Sequence, residues 1–354
     1  MNYIKIGDRK IGKNFPCYTI AEAGANHDGD INKAKKLVDG AVLGKADSIK
    51  FQTYKASELV TKKAPKYWDD GNSNETQFDV FNKLDSLTND NWHEIFEYAK
   101  KKNITCFSTP FDNNSVELLY SIGVPAFKIA SADITDIPLI KLIASKQLPI
   151  FISTGMANSD EINEAIHAIE DRGNHDIVIM HCITSYPTEP EDANLAMISS
   201  LEKQFPKYVI GFSDHTLGTL VAVYSTFFGA NCVEKHFTYD NSLTISPDHR
   251  LSLNPLQFQE LVKQLRLAEI CHGNSVRTLI DAESEAIKFA RRSLVSTKKI
   301  PKNSTISEDM IGIKRPGTGI PPKFYDKILG SKAIRDIPEE EPITWEDLDH
   351  YDEK

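Results

Sequence analysis

Residues Lys207–Thr238 read KYVIGFSDHTLGTLVAVYSTFFGANCVEKHFT. The runs KYVIGFSD and ANCVEKHFT are short and mostly apolar, and Leu217–Phe228 between them carries apolar residues at helical spacing. A buried strand, a helix and a second buried strand make a parallel unit with a right-handed crossover. The same alternation runs back through CYTIAEAG, DSIKFQTY, ITCFSTP, PAFKIAS, LPIFISTG and DIVIMHCIT. Helical segments fall between them at Lys33–Leu43, Asn91–Lys102, Val116–Ile122, Leu139–Ala144, Ser159–Asp171 and Leu195–Gln204. Eight strands between Cys17 and Thr238 close a (β/α)8 TIM barrel, an α/β fold; an open doubly wound sheet is the alternative. Such a barrel takes ~250 residues. The chain has 354, so a second, smaller domain follows.

The composition bounds the function. Apolar residues make up 40% and charged residues 26%, the balance of a globular protein with a full core. A net charge of −9 gives no general attraction to nucleic acid or an anionic membrane, so any anionic substrate needs a local cluster of cations. No apolar run approaches the ~18 residues of a membrane span, and MNYIKIGDRKIG lacks a signal-peptide core, so the expected location is cytoplasmic. Five scattered cysteines, Cys17, Cys106, Cys182, Cys232 and Cys271, read as buried free thiols.

Catalytic groups of a barrel sit at the C-terminal ends of its strands, and here those ends are polar. His215 follows the seventh strand and His236 closes the eighth. Adjacent strands lie ~5 Å apart, so both imidazoles can converge on one divalent ion, leaving positions open for water and substrate. Lys50 and Lys128 sit inside otherwise apolar strands two and four, where an ammonium is costly without an anion. Their partners are either an anionic substrate or the carboxylates of Glu22 and Glu234. Thr109, Ser131, Ser153 and Ser213 surround the same centre and can donate to phosphate or carboxylate oxygens. Glu22, ending strand one, is a candidate general base, and His27 beyond it a candidate cap for the helix starting near Asp30.

Two insertions interrupt the rhythm. Ala56–Thr88 is too long for an ordinary connection and suits a substrate loop over the barrel mouth; Thr238–Leu253 brings Asp248 and His249 back to the same face. YIKIGDRKIG reads as a hairpin plugging the barrel's lower end. Gly273–Ala286 reads as a linker, helical in its second half; beyond it the chain becomes short strands, Pro/Gly turns and single-turn helices, a separate domain of ~60 residues.

The motifs IAEAGANHDG, IKFQTYKASELVT, FSTPFD, FKIASAD, ISTGMA, HCITSYPTEPEDANL, GFSDHTLG, VEKHFT and SPDHRLSL resemble, in order, those of the sialic acid synthase family. KRPGTGI resembles the family's C-terminal antifreeze-like (SAF) domain, which implies a barrel over 1–272, a linker over 273–287 and a small domain over 288–354. The resemblance implies a transferase that condenses phosphoenolpyruvate with an N-acylated hexosamine, releasing phosphate by C–O cleavage. It implies His215 and His236 as ligands of a divalent metal, Mn²⁺ first, with Glu22 handling protons. Lys50, Lys128, Thr109, Ser131, Ser153 and Ser213 would hold phosphoenolpyruvate, and Gln52, Tyr186 and Asp248 would lie near sugar or metal. Arg315 would reach the N-acyl group in a partner's barrel, implying a domain-swapped homodimer. N-acetylmannosamine is the default sugar. Ser246, Ile183, Thr184 and Ser185 depart from the family pattern, which brings in the diacetamido-trideoxy sugar of legionaminic acid synthesis, and behind it the isomer leading to pseudaminic acid and a phosphorylated mannosamine. A Schiff-base aldolase with Lys128 as nucleophile and a carbohydrate-binding module are the competing classes.

Overall fold

The computed structural model describes residues 3–68 and 75–349. The chain divides into two compact units, Met1–Gly273 and Asn274–Lys354. In the first, a hairpin of β1 (Tyr3–Ile6) and β2 (Arg9–Gly12) precedes eight parallel strands. These are β3 (Tyr18–Gly24), β4 (Ser48–Thr53), β5 (Thr105–Pro110), β6 (Phe127–Ile129), β7 (Ile150–Ser153), β8 (Ile177–Cys182), β9 (Val209–Asp214) and β10 (Cys232–His236). They pair in sequence order, and β10 closes on β3, giving the TIM barrel. Among the described residues no helix is long and apolar enough to cross a membrane.

Strand parity separates two cores and sets up the site. Ala21, Ile49, Phe127, Ile152, Ile179, Ile210, Phe212 and Val233 point outward and pack in one cluster with the surrounding helices. Tyr18, Ile20, Phe107, Phe151, Val178, Met180, Val209 and Cys232 point inward and form a second cluster, into which the hairpin inserts Ile4, Ile6 and Ile11. The hairpin is therefore the expected plug. Four inward rows begin apolar at the plug and turn polar two or four residues later: Ile20 to Glu22, Ala126 to Lys128, Phe151 to Ser153, Cys232 to Glu234 and His236. The barrel is thus dry below and charged above.

Gly211 sits at the boundary between these layers. A Cβ there would run into the Cys232 sulfur and lie 3.1 Å from the Cys232 carbonyl oxygen. Gly211→Ala is expected to cost about 1–3 kcal/mol by overpacking, read as a lower urea midpoint at unchanged m-value.

Three sequence expectations need correction. Asp30, not His27, caps the helix Ile31–Leu43, accepting from the amides of Asn32 and Lys33; the His27 Nδ1 accepts instead from the Gly29 amide. Leu217–Phe228 is not one helix: Gly218 has φ +74°, so the α-helix starts only at Leu220 and runs to Ser225, with a 3-10 turn over Thr226–Phe228. Cys271 is exposed, while the other four cysteines are buried; all five are free.

In the second unit, Ser284–Ala290 is helical, and β11 (Ser293–Ser296) pairs antiparallel with β12 (Ile311–Lys314). Its core is Leu294, Ile300, Ile306, Ile320, Ile328, Ile337 and Ile343. Residues 350–354, within the expected 288–354 domain, lie outside the described residues.

Candidate active site

The upper half of the barrel encloses a cavity of 590 Å³. Glu22, Lys50, Gln52, Thr109, Lys128, Ser131, Ser153, Tyr186, Ser213, His215, His236 and Asp248 all line it. His249, expected on the same face, does not: its buried ring pairs instead with Thr238 and Asp28. Arg315 lies in the second unit, exposed just past β12.

The floor is a buried charge network. Lys50 Nζ is 2.5 Å from Glu22 Oε2 and 3.7 Å from Glu234 Oε2, and it donates to Thr109 Oγ1 at 3.1 Å. Lys128 Nζ donates to Ser153 Oγ at 2.7 Å and lies 3.8 Å from Glu234 Oε1, which also accepts from Ser213 Oγ at 2.9 Å. Both lysines are 3% exposed. The carboxylate partners and the anion-facing position therefore coexist: the ammonium groups pair with Glu22 and Glu234 and still line the cavity.

Burial sets the protonation. It pushes Glu22 up to about 7, against Lys50 and with the help of Glu234. Burial opposes the Lys50 ammonium, but Glu22 and Glu234 outweigh it and its pKa ends raised. For Lys128 burial prevails over Glu234 and the pKa falls. Asp133, which sequence reasoning passed over, lines the cavity with a buried Oδ2 that has no hydrogen-bond partner among the described residues; burial, then Asp136, raises it to about 7.

At the rim, the His215 and His236 ring centroids are 5.3 Å apart, with the Tyr186 ring 4.2 Å from His215. His215 Nδ1 lies 2.7 Å from the Ile183 carbonyl oxygen. A carbonyl only accepts, so Nδ1 carries a proton there and Nε2 is the nitrogen left to face the cavity. His236 Nδ1 is buried without a hydrogen-bond partner among the described residues, 3.7 Å from Asp248 Oδ2. Burial and then His215 hold His236 well below its ordinary pKa, keeping it neutral. Burial opposes a proton on His215, but Cys182 outweighs it and the His215 pKa ends raised. The neutral His236 ring and the His215 ring, beside a carboxylate, are a donor set that fits a divalent cation, whose binding would displace a proton from the ligating nitrogen. Among the described residues no three His, Cys, Asp or Glu side chains close on one point.

The long insertion supplies one wall. The helix Gln77–Leu84 and the stretch before it contribute Leu59, Val60, Tyr67, Phe81 and Leu84, joined by Tyr54 and Phe111. Residues 69–74 of that expected substrate loop lie outside the described residues. Thr184 Oγ1 also lines the cavity without a hydrogen-bond partner among the described residues.

The NeuB family model matches residues 37–277, and the SAF domain model matches residues 291–349. The chain belongs to the NeuB family. Relatives within it include the N,N'-diacetyllegionaminic acid synthases of Campylobacter jejuni, 39% identical over 92% of this chain and 98% of that one, and of Legionella pneumophila, 36% identical over 97% and 98%. The crystal structure of an N-acetylneuraminic acid synthetase from Leptospira borgpetersenii in complex with citrate superposes with a TM-score of 0.71 at 33% identity, covering 80% of this chain and 95% of that one. This NeuB-family chain is accordingly an enzyme of the acid-synthase type.

Proposed function

We propose that the chain condenses phosphoenolpyruvate with the open-chain aldehyde of an N-acylated aminosugar. The observation that carries this is the stacking of two unlike sites in one cavity: an ammonium and hydroxyl floor below, a pair of facing imidazoles above. Lys50, Lys128, Thr109, Ser131, Ser153 and Ser213 suit the phosphate and carboxylate of phosphoenolpyruvate. His215 and His236, with Asp248 near, would hold the divalent ion, Mn²⁺ first. A bound ion would supply Lewis-acid polarisation of the aldehyde oxygen.

The bond changes run as follows. C3 of phosphoenolpyruvate attacks the aldehyde carbon, the C=O π bond opens to an alkoxide as the C–C bond forms, and C2 becomes cationic. Water adds to C2 and gives one proton to Glu22, which accepts a hydrogen bond from Gln52 at 3.2 Å; that proton offsets the one the alkoxide takes up. The bond between C2 and the phosphate oxygen then breaks, the remaining C2 hydroxyl proton leaves with inorganic phosphate, and the 2-keto acid is left. Lys50 beside Glu22 and Lys128 beside Ser153 keep the charge of the departing phosphate compensated throughout.

Among the sugars open to this chemistry, the apolar wall of Leu59, Val60, Phe81, Leu84 and Phe111 favours one with a deoxy carbon over N-acetylmannosamine. The two relatives named N,N'-diacetyllegionaminic acid synthase support the same choice, for which 2,4-diacetamido-2,4,6-trideoxymannose is the candidate sugar. The exposed Arg315 would serve the N-acyl group in the barrel of a second copy, making the working form a domain-swapped homodimer. In a panel of aminosugars with phosphoenolpyruvate and Mn²⁺, followed by phosphate release, the diacetamido sugar is expected to exceed N-acetylmannosamine by roughly 10- to 100-fold in kcat/KM. Equal rates would remove the deoxy assignment; no phosphate release with any sugar would remove the condensation. The lowered pKa of Lys128 also suits a Schiff-base aldolase, for which borohydride would trap pyruvate on Lys128 without phosphate release.

A further inference from the structure

Behind the cavity, on the outward face of the strand that ends in His236 and of the strand that leads into His215, lies a second ion pair that faces away from the site. Lys235 and Asp214 stand opposite each other in the register of β9 and β10, each immediately before a histidine in sequence. Lys235 Nζ is 2.7 Å from Asp214 Oδ2, bonds the Thr216 carbonyl oxygen and reaches Thr216 Oγ1 at 3.5 Å. All three ammonium protons are thus spoken for, and the side chain is 0% exposed. Asp214 Oδ1 in turn accepts from the Thr216 amide at 2.8 Å, so His215 is bracketed on both sides. On the inward face, one residue earlier on each strand, Ser213 bonds Glu234 at 2.9 Å.

A pair so placed is costly. Two charges lose their water, and well-packed apolar residues of similar volume commonly serve stability as well or better. What such residues cannot supply is a directional tie between the ends of two neighbouring strands. β9 ends at Asp214, and His215 already belongs to the loop, where Gly218 with its φ of +74° marks a turn of the backbone. The lysine fastens that loop at Thr216, one residue beyond the imidazole.

We infer that the Asp214–Lys235–Thr216 clamp positions the His215 and His236 imidazoles for a shared divalent ion. This rests on the metal reading of the two histidines. Lys235 and Asp214 are positioning residues: neither faces substrate, and the clamp acts through the loop that carries His215.

The test uses the full chain and two variants. Lys235→Met removes the tie and leaves the Asp214 carboxylate buried and alone, so it is expected to lower the melting temperature. Asp214→Asn combined with Lys235→Met removes both charges, keeps an acceptor for the Thr216 amide and is expected to recover most of that loss. Mn²⁺ affinity is read from free Mn²⁺ in the electron paramagnetic resonance spectrum, below the melting transition of each protein. Both variants are expected to bind Mn²⁺ roughly 10- to 100-fold more weakly, as when groups supporting metal ligands are removed. Phosphoenolpyruvate affinity, set by the lysine floor, is expected to stay within about twofold, inside the scatter of independent sites. A double variant that regains stability and binds Mn²⁺ as the unchanged protein does overturns the inference. Should the unchanged protein itself take up no Mn²⁺, the metal reading fails separately. The clamp is then judged on the His215 and His236 ring ¹⁵N resonances, and shifts unchanged in the folded double variant overturn it.

Discussion

His236→Ala is expected to lower kcat/KM for condensation by on the order of 10³-fold, because loss of Lewis-acid stabilisation amounts to several kcal/mol of barrier. The fold should survive. His236 ends its strand at the cavity rim, and its Nδ1 makes no hydrogen bond that the truncation would orphan. Chelation of the unchanged protein should reproduce the loss, and Mn²⁺ should restore that protein but not the variant. Phosphate release with and without EDTA, beside a melting curve, separates the outcomes. An alanine variant that turns over like its parent, or a parent indifferent to EDTA, would take the metal out of the scheme. The neutrality of His236 gives the prediction its edge: burial and the neighbouring His215 disfavour the imidazolium, so the ring is already in its ligating form.

Much of this arrangement was legible in the chain, and the reason is geometric. In a parallel barrel both faces of a strand are buried, so apolar residues carry no information about which way they point. Polar residues do. Glu22, Lys50, Lys128, Ser213, Glu234 and His236 occur at the ends of otherwise apolar runs, where the barrel opens, and all of them line the cavity. Lys235 breaks the same pattern at the same place, yet it points the other way and meets Asp214. Nothing in KH as a dipeptide distinguishes a cavity lysine from a clamping one; only strand parity does. Asp133 was missed for a related reason. It lies beyond a strand end, where period-2 reading has stopped, and its orphaned oxygen becomes visible only when its neighbours are in place. The apolar wall had a local sign, the Thr76–Asp79 capping box that opens the helix Gln77–Leu84. Inside a segment expected to be a loop, that sign did not register. His27 misled because Asp30, three residues on, is the better cap by chemistry: a short carboxylate that accepts from two helix amides.

Glu22→Gln is expected to reduce kcat by roughly 10²- to 10⁴-fold, the usual worth of a positioned proton acceptor, and to change the shape of the pH profile as well. Burial raises the Glu22 carboxyl to about 7, partly countered by Lys50 and reinforced by Glu234. A base works ionised. Below pH 7 the protonated fraction grows, so kcat/KM should fall with falling pH, about tenfold per unit once well below that value, and level off above it. In the glutamine variant this limb should vanish, because the amide has no proton to lose in that range. The comparison must be corrected for titration of the substrate's own phosphate, which the variant shares with its parent. Lys50 is left with Glu234 at 3.7 Å and Thr109 at 3.1 Å, so the substitution does not strand a bare ammonium in the floor. An acidic limb that persists in Glu22→Gln would transfer the titration to another group lining the cavity. Asp133, held at about 7 by burial and by Asp136, is the residue the limb would then point to.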